Sequence, residues 1–308
     1  IVVRDARVVW HDEQRAAPPL ELRQLNFELR NFGRHHGFGL TAEPPAGSAA
    51  RLDLRGNLTG RNLADLAAWQ GELFAQLEQI DLSAWAPWID LPLEMTSGKG
   101  DLRLWLNFAN LMPTGFTADV HLADLALRLQ PSLPQLALDQ VDGRVAGRRT
   151  AKGYSGEIRR LAVTTADGIA VPSADVSLGV VTTGQRAGGE FRADRLDLAV
   201  LAGLADHFPL PEALRDKLRS FAPRGRLADL NLVWGGRIEA PERWQIKGAF
   251  ADLALAARHE LPGFSGISGR LEGNEKSGQV HLASRNATLD LPAVFSEPML
   301  ALANLEAE

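Results

Sequence analysis

The sequence predicts a mostly β protein: a long, bent, twisted antiparallel sheet that forms an elongated hydrophobic groove, with one or two short helices. Apolar and polar residues alternate in about sixteen short runs, which is the period of a strand with one apolar face. Gly, Pro, Asn and Ser separate these runs, as is typical of turns. The same strand patterns recur further along the chain, which indicates a repeated sheet unit.

The first 60 residues contain four predicted strands. They are expected at residues 2–10, 20–32, 38–42 and 51–58. Gly33, Gly37 and the run from Pro44 to Gly47 supply the turns between them.

Two later stretches repeat each other. The pattern that begins with Gly100-Asp-Leu-Arg-Leu-Trp-Leu restarts at Gly225, and Leu122-Ala-Asp-Leu-Ala-Leu is matched by Phe250-Ala-Asp-Leu-Ala-Leu. We therefore predict one continuous elongated domain that comprises the end of a preceding repeat (1–70), two repeats (71–188 and 189–292) and the start of a following segment (293–308). The chain starts and stops in mid-pattern, so we expect a fragment of a longer protein.

Little of the chain has a helical pattern. A short helix is expected from Leu63 to near Gly71, with a strand after it. A second helix is expected with Pro211 at its first position, where the missing N–H costs nothing. Its apolar face would carry Leu210, Leu214, Leu218 and Phe221.

Five strands change the phase of their alternation by one residue. In a regular strand this slip would turn the later apolar side chains to the opposite face, whereas a β-bulge or bend keeps them on the same face. The slips are predicted after Leu22, Leu122, Leu138, Ile158 and Phe250. A sheet bent at the same height in successive strands becomes a trough lined by apolar residues.

The lining of this trough is the candidate functional site. A large bare apolar surface is unstable in water, and a lane along the strand-stacking direction suits acyl chains, each buried methylene of which contributes about 0.8 kcal/mol. The predicted lipid-binding residues are Leu102, Leu104, Leu106, Phe108, Val120, Leu122, Leu125, Leu127, Leu230, Leu232, Phe250, Leu253, Leu255, Val280 and Leu282. The irregular apolar patch of Trp85, Trp88, Ile89 and Leu91 is expected to plug or gate the lane.

Composition and motifs disfavour other functions. The net charge of −5 and the lack of a basic cluster argue against nucleic acid. A chain without cysteine has no disulfide or thiolate metal site. The seven histidines lack metal-ligand spacing, and Ser155 and Ser265 lack the pattern of a nucleophile elbow. We therefore expect no enzyme, no metal and no cofactor.

Several sequence segments resemble those of the YhdP family of AsmA-like proteins from Gram-negative bacteria. Besides the runs at Gly100 and Leu122, they are Leu261-Pro-Gly-Phe-Ser-Gly-Ile-Ser-Gly-Arg-Leu-Glu-Gly and Ser284-Arg-Asn-Ala-Thr-Leu-Asp-Leu-Pro. The resemblance implies a periplasmic, inner-membrane-anchored protein whose β-groove carries phospholipid between inner and outer membranes. It implies no catalytic residue, and the expected N-terminal anchor would lie outside this chain.

One alternative interpretation stays open at this point. The same alternation would suit a closed β-sandwich or a solenoid that serves as a scaffold or assembly module of the cell envelope and carries no lipid. In that case the apolar face would be covered entirely by protein.

Overall fold

The protein is described by a computed structural model that covers residues 1–61, 65–89, 94–182, 187–238, 240–258, 261–292 and 299–308. Within these residues, sixteen strands lie in chain order in one open antiparallel sheet, which confirms the predicted mostly β class and the long antiparallel sheet. The described residues form one sheet and not the two stacked sheets of a sandwich. Chain contacts define a first unit, Ile1–Thr150 with Ile158–Gly168, and a second unit, Ala151–Glu157 with Ile169–Glu308.

The strands are long and are joined mostly by short turns. Their bounds are β1 Val2–Trp10, β2 Leu20–Phe32, β3 His35–Glu43, β4 Arg51–Thr59, β5 Gln70–Asp81, β6 Glu94–Ala109, β7 Met112–Arg128, β8 Leu136–Thr150, β9 Gly153–Thr165, β10 Ala170–Val181, β11 Gly188–Asp197, β12 Arg224–Arg237, β13 Ala240–Leu255, β14 Gly263–Asn274, β15 Gly278–Asp290 and β16 Met299–Ala307.

Helical segments are few and short in the described part of the chain. They are α1 Leu82–Trp85, α2 Leu198–Leu204, α3 Glu212–Phe221 and the 3₁₀ turns Leu66–Ala68 and Ala205–His207. The predicted second helix is present, but Pro211 caps it and the helix begins one residue later, at Glu212. Leu63 lies outside the described residues, and the strand expected after the first helix begins at Gln70.

Helices α1 and α2 were not predicted, and each follows a strand that ends in aspartate. The Asp81 carboxylate accepts a hydrogen bond from the Ser83 N–H, and the Asp197 carboxylate accepts from the N–H groups of Ala199 and Val200. An aspartate at the N-cap satisfies backbone donors that a short helix leaves free. The Asp-Leu pair at the end of β5 and of β11 was the available sequence signal.

Three of the five predicted bulges are confirmed by the strand register, and the fourth, in β9, coincides with a left-handed residue at the predicted place. The extra residue adopts the left-handed conformation at Gln24 (φ 47°), Asp124 (φ 52°), Arg160 (φ 49°) and Asp252 (φ 54°). The strand register also shifts near Gln24, Asp124 and Asp252. The fifth strand, β8, pairs with β7 without a register shift. The bulge predicted after Leu138 is therefore not present in this strand pair.

Candidate functional site

The candidate site is an apolar face made of rows of side chains that run across the strands. Residues directly opposite each other in an antiparallel pair point to the same face. In the first unit the register places one apolar residue of each strand from β2 to β8 in a single row. This central row is Phe27, Leu40, Leu54, Ala75, Leu104, Ala118 and Val145.

Two further rows flank the central row. The row on the bulge side is Ala42, Leu52, Leu77, Leu102 and Val120. The row on the opposite side is Leu29, Phe38, Gly56, Leu73, Leu106 and Phe116. The ring of Phe38 covers the glycine of its row, because a Cβ built on Gly56 would lie 2.2 Å from a ring carbon. At about 4.8 Å per strand, the seven strands from β2 to β8 span roughly 29 Å.

The predicted site residues of the first unit belong to this face. Leu102 stands opposite Val120, and Leu104 and Leu106 belong to the central and flanking rows. Leu122 stands opposite Gly100, and Leu125 follows the bulge at Asp124 and pairs with Leu138. Phe108 and Leu127 extend the face at its two ends, opposite Pro113 and Met95 respectively. The face therefore continues through the bulge, as the alternation predicted.

The predicted residues of the second unit also share one face. The row Leu196, Leu227, Phe250, Gly269, Leu282 and Ala307 crosses β11 to β16 without a polar side chain. Leu232 stands between Phe191 and Ile246, and Leu230 stands opposite Ala193. Beyond the bulge at Asp252, Leu253 pairs with Ile267 and Leu255 with Phe264. Val280 pairs with Leu271 and is 48% exposed.

Burial divides the apolar face of the first unit into two parts. Next to the bulges, Leu77, Ile80, Leu122 and Leu125 are at most 8% exposed. The central row is half-buried, whereas the bulge-side row is buried from Ala42 to Leu77 and half-buried at its β6 and β7 members. In the row on the opposite side, Phe116 is 41% exposed. Leu122 and Leu125, with Phe250 in the second unit, therefore have little surface left for a ligand. The half-exposed positions, such as Leu104, Leu106 and Leu232, retain surface.

Helix α1 covers part of the buried side. A Cβ built on Gly98 of β6 would lie 2.9 Å from side-chain carbons of both Leu82 and Leu125, so the helix packs close to this face. Trp85 is buried, and its indole N–H donates to the Ser48 carbonyl at 3.0 Å.

The expected plug is only partly described. The Trp88 N–H donates to the Pro18 carbonyl at 2.9 Å, and the two indole rings of Trp85 and Trp88 meet edge to face. Ile89 is 45% exposed, and Leu91 lies outside the described residues. These contacts hold the two tryptophans against the β1–β2 and β3–β4 loops of the first unit.

The opposite face of the first unit, called the charged face below, carries paired charges with two aromatic rings beside them. Arg144 donates two hydrogen bonds to the Asp119 carboxylate, at 2.5 and 2.8 Å, and this contact lowers the pKa of Asp119. The neighbouring His121 ring bonds the Asp142 carboxylate, which raises the pKa of His121. Both pairs are largely solvated, so they keep this face wet and contribute little stability.

Other kinds of site are not found in the described part of the chain. There, no three His, Asp or Glu side chains lie close enough together to hold a metal ion. No helix among the described residues is long and apolar enough to span a membrane. The described residues form an open sheet with one apolar and one charged face. A ligand on the apolar face would be held by apolar contacts.

The fold and site therefore define a protein with an open antiparallel sheet and a continuous apolar face in each unit. The YhdP protein family model matches residues 1–308, and the chain belongs to that family. This is a non-enzymatic transport family associated with the cell envelope, and membership suggests a bridge-like role in lipid transport. Comparisons with curated proteins and with solved structures found no match.

Proposed function

We propose that this chain is a segment of a periplasmic bridge that carries phospholipid along its apolar face between the inner and outer membranes. The observation that carries the proposal is the register: rows without any polar side chain cross seven strands of the first unit and six strands of the second. Neighbouring rows repeat the same chemistry at each strand. A lipid can therefore move along a row without meeting a deep energy minimum.

The acyl chains lie on the half-exposed rows, and the buried residues beside the bulges support those rows. An acyl chain binds by removing its own apolar surface and that of the protein from water, at about 25 cal/mol per Å². Leu104 and Leu106 retain such surface, whereas Leu122 and Leu125 have already lost it to protein contacts. The bulges bend their strands, and in this proposal the bend turns the sheet into the wall of a groove.

Photo-crosslinking from two adjacent positions tests the proposal. Leu104 lies on the apolar face, and Arg103 precedes it in β6 on the charged face. A benzophenone amino acid at position 104 is expected to capture phospholipid in cells, with a yield about tenfold above that at position 103. Mass spectrometry of the adducts identifies the lipid. Equal yields at the two positions, or protein adducts alone at position 104, would contradict the proposal.

A membrane anchor, contacts with the two membranes and the two repeats (71–188 and 189–292) also belong to the proposal. The strand–helix–strand order of β5, α1 and β6 recurs in β11, the helices α2 and α3, and β12. This recurrence supports a repeated unit, in which each repeat adds an equivalent stretch of apolar face.

A further inference from the structure

The backbone of several bulges is capped by a side chain from the next strand. At the bulge in β5, Leu77 pairs with Leu102 and Ile80 with Gly100, so Glu78 and Gln79 together face Asp101. The Gln79 residue is left-handed (φ 51°), and its N–H donates to the Asp101 carboxylate at 2.9 Å. One side chain thus satisfies the amide that the extra residue removes from the ladder.

The same geometry occurs at two other bulges, with different residues. In β1, the N–H of left-handed Asp5 donates to the side-chain oxygen of Asn26, the residue opposite the bulge, at 3.3 Å. In the second unit, the N–H of left-handed Asp252 donates to the Ser268 hydroxyl at 3.0 Å. Asn, Asp and Ser share a short side chain with an oxygen acceptor, so the position needs an acceptor and not a charge.

Each bulge determines which way the rest of its strand faces. After the β5 bulge, Ile80 returns to the apolar face and is 2% exposed. Without the extra residue, the side chains beyond it would exchange faces, and Ile80 would turn to the charged face. The equivalent residue in the second unit is Leu253, which returns to the apolar face after the Asp252 bulge and pairs with Ile267.

We propose that Asn26, Asp101 and Ser268 are positioning residues: each holds a bulge in the opposite strand and so keeps the apolar face continuous through the bend. The effect on lipid rests on the proposed function, whereas the effect on strand facing does not. None of the three belongs to the apolar rows, because each lies on the opposite face of its strand.

Thiol labelling at position 80 tests the proposal without any lipid. The chain has no cysteine, so Ile80→Cys introduces a single reporter at a buried position. Asp101→Ala is expected to speed maleimide labelling at position 80 about tenfold and to speed amide exchange of Gln79 by a similar factor. Tenfold is the change expected when local opening no longer has to break one hydrogen bond. Asp101→Asn retains an acceptor, as Asn26 does at its own bulge, and should restore slow labelling and slow exchange.

Asp119→Ala is the matched control. It removes a carboxylate from the same face of the adjacent strand, where the partner is Arg144 and not a bulge amide. This variant should leave the thiol at position 80 protected. Equal labelling in Asp101→Ala and the parent, or no rescue by Asp101→Asn, would overturn the proposal.

Lipid capture separates this proposal from the proposed function. With the photo-crosslinker at Leu102, next to the bend, Asp101→Ala should lower phospholipid capture several-fold and Asp101→Asn should preserve it. If Asp101→Ala speeds maleimide labelling but captures as much phospholipid as the parent, the claim that the cap keeps the apolar face continuous for lipid is overturned. Absence of lipid from every variant, with the labelling pattern as expected, would contradict the proposed function and leave the caps supported.

Discussion

A carboxylate in the middle of the apolar face should block lipid while the sheet still forms. Leu232 is half-buried in β12, directly between Phe191 and Ile246. The next residue, Val233, is 39% exposed on the opposite face. Leu232→Asp and Val233→Asp therefore make the same kind of change one residue apart, on the two faces of one strand.

The expected size of the effect follows from the strand spacing. One strand occupies about 4.8 Å of the lane, and an extended chain advances roughly 1.2 Å per bond, so about four methylenes lie over each strand. At about 0.8 kcal/mol per methylene, an acyl chain that loses this contact loses about 3 kcal/mol. That loss corresponds to roughly a hundredfold weaker binding. Leu232→Asp should cost about 1–2 kcal/mol of stability, because the side chain is half-buried.

The assay compares phospholipid bound by the purified variants, using lipid extraction and mass spectrometry, and lipid transfer between vesicles. Urea unfolding gives the stability of each variant, with an unchanged m-value as the sign of an intact fold. Leu232→Asn serves as a neutral second variant if Leu232→Asp proves too unstable. The reasoning is refuted if the Leu232 and Val233 variants bind and transfer lipid equally.

Three further predictions concern stability. Gly100→Ala should prevent folding or cost several kcal/mol, because the residue has a φ of 146° and the new Cβ would lie 2.0 Å from a backbone carbonyl oxygen. Gly39→Ala is the control: open space surrounds its Cβ position, and the variant should unfold in urea near the parent midpoint. Trp85→Phe should cost about 1 kcal/mol in urea unfolding, because a buried carbonyl loses its indole donor; an unchanged midpoint would argue against that bond. The raised pKa of His121 means that its pairing with Asp142 stabilises the fold fully below the ordinary pKa of 6.5 and is lost as pH rises through the folded pKa. His121→Gln should therefore flatten the pH dependence of the urea midpoint between pH 5 and pH 8, and an identical pH profile would exclude the effect.

Strand positions and facing could be predicted because both depend on local periodicity. The alternation predicts the first four strands to within about three residues, and the phase slips predict the bulges at Gln24, Asp124 and Asp252 without reference to strand pairing. A left-handed residue in mid-strand leaves a direct trace in the sequence, because the apolar positions move by one.

The short helices escaped prediction for a physical reason. Helix α1 has four residues, which is too few for a 3.6-residue period to appear. Its stability comes from the Asp81 cap and from Trp85, whose indole reaches a carbonyl 37 residues earlier in the chain. Such a contact depends on the pairing of intervening strands, and no local pattern encodes it.

The sequence by itself determined the class of fold, the apolar side of each strand and the family resemblance, because each is written in the order of neighbouring residues. Only the tertiary structure decided which apolar residues keep surface for a ligand and which become core. Leu104 and Leu122 look alike in the alternation, yet the first is half-buried and the second is 7% exposed. The difference arises because burial is set by residues distant in the chain, which meet only when the strands pair in register.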